Sequence, residues 1–167
     1  MHTLWIETEL NTLRALIVII DDHLSNICEK SLEVDDPDSF GLFDSAEHLT
    51  GLGFVACQTY MATVYGNLNI EKQLALNMGS KHRGGRTKAQ IINHAANYWK
   101  HNNEWVLDKS ATRRKAIESA FESVGFSVGT DYPLCGVLTE LSAPFEASFR
   151  SVIDMLELWK TELVRTA

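Results

Sequence analysis

A chain of 167 residues with 45% apolar and 22% charged content has the size and composition of one globular domain with its own core. Its net charge of −7 excludes a general nucleic-acid coat, although a local basic patch would still meet phosphate. The three cysteines (Cys28, Cys57 and Cys135) lack CxxC or CxxH spacing and read as reduced, buried thiols of a cytoplasmic protein. The opening MHTLWIETEL is no signal peptide, and the longest apolar run, Ala15–Ile20, is too short to span a bilayer. A soluble cytoplasmic protein with no membrane association is expected.

Residues 3–30 carry Ile6, Leu10, Leu13, Ile17, Ile20, Leu24 and Ile27 alternately four and three apart, which predicts one long helix. Leu16 and Ile19 widen that seam, as expected for a helix buried in a bundle or across a dimer. Residues 31–43 are acidic, contain Pro37 and Gly41, and form a connection. Asp44 with Glu47 predicts a capping box for a second helix that runs on through Leu49, Tyr60, Ile70 and Met78. Gly51, Gly53 and Ala56 spell the dinucleotide fingerprint GxGxxA, but no strand precedes them, so they read as small residues that admit a close helix neighbour.

Residues 77–86 form a loop whose Lys81, His82, Arg83 and Arg86, with Lys88 just beyond, make a basic cluster. Thr87 and Gln90 form a T-x-x-Q capping box that starts the next helix, where free amides, the helix dipole and these cations would attract an anion. The alternative is a solvated loop whose charges only keep it wet. In the following helix, 86–105, about 100° per residue gathers His94, His101, Gln90, Asn97, Glu104 and Asn93 on one face, opposite Ile92, Ala95, Trp99 and Val106. Asp108 or Ser110 caps a further helix to about Val124, with Gly125 at its end and Arg113, Arg114 and Lys115 near its start. A turn-rich link, a short helix at Leu134–Leu141 and a last helix opened by Pro144 complete the chain. The expected architecture is all-α, a single-domain bundle of about five helices over residues 1–167.

The polar face supports three chemistries. For RNA cleavage, His101 is the acid or base near neutral pH, Asn97 one turn earlier positions phosphate or imidazole, and Lys100 supplies charge. His94 completes the catalytic set, and Lys81, Arg83, Arg86 and Lys88 bind phosphate. A metal site at His94, His101 and Glu104 is disfavoured: residues seven apart on a helix are about 10 Å apart, and no second motif completes the set. No metal ligands and no cofactor are assigned. In the third reading the face is a buried polar seam that fixes helix register and does no chemistry, with Tyr98, Trp99 and Trp105 as core aromatics.

An all-α chain with Ala96-Asn97-Tyr98-Trp99-Lys100-His101 on a late helix resembles the HEPN superfamily of helical bundles, whose signature is Arg followed by four to six residues and His, often with Asn, Asp or His directly after the Arg. Asn97 and His101 match, and Ala96 stands where the Arg belongs. The resemblance implies a homodimer, a metal-independent endoribonuclease of the toxin or defence type, and a cognate antitoxin or defence partner. Without the Arg, it also admits a degenerate RNA-binding module. The competing expectation is a non-catalytic helical protein that acts through partner binding and dimerisation.

Overall fold

A computed structural model describes residues 2–104 and 111–167. The described residues form seven α-helices and no strand: α1 (His2–Ser31), α2 (Leu42–Asn67), α3 (Lys72–Leu76), α4 (Lys88–His101), α5 (Ala111–Glu122), α6 (Pro133–Ser142) and α7 (Phe149–Thr166). A 3₁₀ turn, Asn102–Glu104, follows α4. The all-α expectation holds, and the count exceeds five because one long helix is divided and short helices are retained. No described helix is long and apolar enough to cross a membrane.

The α1 seam is buried as its periodicity requires: Ile6, Leu10, Leu13, Ile17 and Ile20 are each 5% exposed or less. Leu16 and Ile19, by contrast, are 42% and 57% exposed, so the widened part of the seam faces outward. Helix α2 is the hub of the bundle, packing against α1, α4, α6 and α7. Its glycines make that possible. A Cβ at Gly51 would overlap the Trp99 indole of α4, and one at Gly53 would overlap the Phe149 ring of α7. Small residues therefore set the distance between α2 and its neighbours, as the fingerprint-like segment predicted.

The expected continuous helix to Met78 is broken after Asn67. Asn69 takes φ +54°, and the amides of Asn69 and Ile70 donate back to the Gly66 and Tyr65 carbonyls, which is a Schellman termination. Glu71 then caps α3 through the Leu74 amide. Gly125, at φ +90°, ends α5 in the same way, with Phe126 N–H donating to the Phe121 carbonyl. The Asp108/Ser110 cap lies outside the described residues.

Two helices begin on carboxylates from elsewhere in the chain. Glu47 makes no capping box with Asp44, because α2 already starts at Leu42 after Gly41. Instead its carboxylate accepts from the Leu134 and Cys135 amides at the start of α6, both at 2.9 Å. Asp21 of α1 accepts from Ser148 Oγ and the Phe149 amide at 2.6 and 2.9 Å. That fixes the start of α7 five residues beyond Pro144, with Ser148 as N-cap, and leaves Phe145 75% exposed. A carboxylate at a helix N-terminus satisfies free amides and meets the positive end of the dipole.

Candidate functional site

The start of α4 is built as its sequence dictates. Thr87 Oγ1 accepts from Gln90 N–H at 3.1 Å, Gln90 Oε1 accepts from Thr87 N–H at 3.1 Å, and Thr87 Oγ1 donates to the Leu76 carbonyl. The Lys88 amide donates to the Ser80 carbonyl at 3.0 Å. Three amides that an anion would need at this terminus thus already have partners.

The basic loop is fastened down. Glu140 of α6 accepts from Arg83 at 2.8 Å and from His82 Nε2 at 2.9 Å. Gly84 N–H donates to His82 Nδ1, so the imidazole proton resides on Nε2 and points to the carboxylate. Arg86 reaches Ser119 of α5 at 2.9 Å, and Gly84 sits so close to Ser123 that a Cβ would overlap its carbonyl. Lys81 is exposed and Lys88 half-buried. Lys88 and His101 stand at opposite ends of α4, about 20 Å apart by helical rise. The cluster and the histidine therefore do not share one pocket.

The polar face of α4 divides into three parts. Near its start, His94 packs with Nδ1 buried and without a hydrogen-bond partner among the described residues. Burial, then Arg86 and Lys72, push its pKa down to about 4, so the ring is neutral at physiological pH. In the middle, Gln58 of α2 binds three side chains at once. Its Nε2 donates to Asn93 Oδ1 at 2.9 Å and Asn97 Oδ1 at 3.0 Å, and its Oε1 accepts from Lys100 Nζ at 2.6 Å. At the C-terminal end, half-buried His101 pairs through Nδ1 with Glu104 Oε2 at 3.0 Å. The carboxylate accepts, so Nδ1 carries the proton and Nε2 presents a lone pair. Nε2 makes no hydrogen bond among the described residues.

Gln58 thus brings Asn97 and Lys100 together, His101 follows Lys100 in sequence and pairs with Glu104, and His94, Lys81, Arg83, Arg86 and Lys88 have other surroundings. Gln58 was missed in the sequence; its only signal was a lone long polar side chain in an uncharged helical segment. Ala96 is fully buried, so the position where the HEPN resemblance puts an arginine faces the core, and the cation beside His101 is Lys100. Trp99 packs on His48 and Tyr98 on Phe121, both as core aromatics; Trp105 lies outside the described residues. Among the described residues no three His, Cys, Asp or Glu side chains converge as metal ligands would. No protein-family model, curated protein or solved structure matches the chain.

Proposed function

We propose that this chain is a HEPN-like, RNA-directed helical protein whose reacting centre is the C-terminal end of α4. The observation that carries the reading is the His101–Glu104 pair at 3.0 Å, which holds the imidazole in one tautomer, with Lys100 the preceding residue of the same helix. In RNA cleavage His101 Nε2 takes the proton of the 2′-hydroxyl as its oxygen bonds to phosphorus. The bond from phosphorus to the 5′-oxygen breaks, and that oxygen takes a proton from water. Lys100 offsets the charge on the phosphorane, and Gln58, itself bonded to Asn97, holds the ammonium. No metal enters the step. A partner of the antitoxin or defence type would act by covering this end of α4.

A second reading has its own observation in its favour. The Gln58 bonds tie α2 to α4, as a purely structural polar seam would. On that reading the chain is non-catalytic and acts through protein partners.

Fluorescence anisotropy with labelled RNA over a salt series tests the proposal. Binding that weakens as salt rises, and that weakens further for Lys100→Ala, supports an RNA-facing site. RNA affinity unchanged by Lys100→Ala turns the reading to the structural seam.

A further inference from the structure

Three carboxamides meet where α2 packs on α4, and the way each one faces is fixed by its neighbours. The Lys100 ammonium has hydrogens and no lone pair, so Gln58 must turn Oε1 towards it, at 2.6 Å. Gln58 Nε2 then points the other way, to the Asn93 backbone carbonyl at 3.2 Å, which can only accept. Two independent partners therefore set the same orientation of the Gln58 amide. Nε2 also meets the Asn93 and Asn97 side chains, at 2.9 and 3.0 Å, and an NH₂ group does not accept. Each asparagine must face Gln58 with Oδ1.

This orientation carries outward. With Oδ1 turned in to Gln58, Asn93 and Asn97 present Nδ2 on the side away from it. Neither Nδ2 has a hydrogen-bond partner among the described residues. Neither is sealed off, since the buried side-chain atoms without a partner among those residues are Tyr60 Oη and His94 Nδ1. Asn93 and Asn97 stand four residues apart on α4, about 6 Å by helical rise, with Lys100 next on the same stripe. No carboxylate hydrogen-bonds to any of the three carboxamides. A seam that only joined two helices would match donors with acceptors and leave neither over. Here the acceptors are used inside the network, and the donors that remain are all of one kind.

We infer that Asn93 and Asn97 form a phosphate-binding subsite whose donors Gln58 keeps pointed at the ligand. A phosphate group offers acceptor oxygens only, so it can bond to both Nδ2 groups at once, and the Lys100 charge favours it. A ligand edge with its own N–H, such as the N6 and N7 edge of adenine, would set donor against donor. The subsite is separate from the reacting centre. Asn97 lies one turn before His101, so a phosphate held here is adjacent to the bond that His101 opens, and it anchors the strand. That the phosphate belongs to RNA rests on the reading proposed above; the donor set does not.

The test is a titration of the full chain with inorganic phosphate at constant ionic strength, followed by ¹H–¹⁵N NMR of the side-chain amides. The Asn93 and Asn97 signals should shift together and saturate. Asn97→Asp still accepts from Gln58 but donates nothing, and it should weaken phosphate binding about tenfold or more with an unchanged circular dichroism spectrum. Gln58→Leu adds no charge and frees both amides to turn, so it should weaken binding as well. Short single-stranded RNA, titrated in the same way, should move the same two signals. Saturable phosphate binding that both variants weaken, with RNA leaving the signals in place, upholds the subsite and overturns RNA as its ligand. Unmoved Asn93 and Asn97 signals in phosphate, or equal phosphate affinity for wild type and Asn97→Asp, overturn the subsite itself.

Discussion

The Gln58 amide of α2 and the Lys100 ammonium of α4 are 2.6 Å apart, and the same amide holds Asn93 and Asn97. One side chain therefore both joins two helices and fixes the cation of the candidate site. Asn93 is only 5% exposed, so water is a poor substitute for that partner. Gln58→Leu should lower unfolding stability by about 1–3 kcal/mol, the cost of leaving buried polar groups unmatched. Urea denaturation checks this, and an unchanged midpoint would show that the bonds contribute nothing net.

Gly51 and Gly53 should respond against the usual helix rule. Glycine to alanine inside a helix ordinarily stabilises by roughly 0.5–1 kcal/mol. Here the added methyl would meet the Trp99 or Phe149 ring, and α2 would have to move from α4 or α7. Gly51→Ala and Gly53→Ala should each destabilise by about 1–3 kcal/mol. Gly66 has open space around it, so Gly66→Ala serves as the control and should not destabilise. Thermal melts of the three variants make the comparison.

His94 should make stability depend on pH. Its folded pKa of about 4 lies below its ordinary 6.5, so between these values the unfolded chain binds a proton that the folded chain refuses. The contribution is full above pH 6.5 and is lost as pH falls toward 4, by up to about 3 kcal/mol. Urea unfolding at pH 7.5 and pH 4.5 should therefore show a smaller loss for His94→Gln than for the wild-type chain. Equal losses would mean that His94 is not held neutral by its surroundings.

What was legible in the sequence was local. The α1 seam, the Thr87–Gln90 box and Gly125 depend on neighbours within a turn or two, and all three stand where the spacing put them. The start of α7 was not legible, because Asp21 that fixes it is 127 residues from Ser148. Glu47 was misassigned for the same reason, since its amides belong to α6, 87 and 88 residues on. In the site, helical phase placed His94 and His101 on one face but said nothing of what covers each. Burial, then the Arg86 and Lys72 charges, keep the first neutral, while Glu104 steadies the second. The break at Asn69 did have a local signal, an asparagine suited to positive φ, hidden under continuous apolar spacing.

The most direct test of the proposed function is cleavage of end-labelled RNA by wild-type protein and His101→Gln, with a metal chelator present and the fold of each checked by circular dichroism. The account predicts chelator-resistant cleavage by the wild type and a loss of about 10²-fold or more in the variant, whose spectrum is unchanged. Equal rates for wild type and variant, or a wild-type chain that leaves the RNA intact, would contradict it.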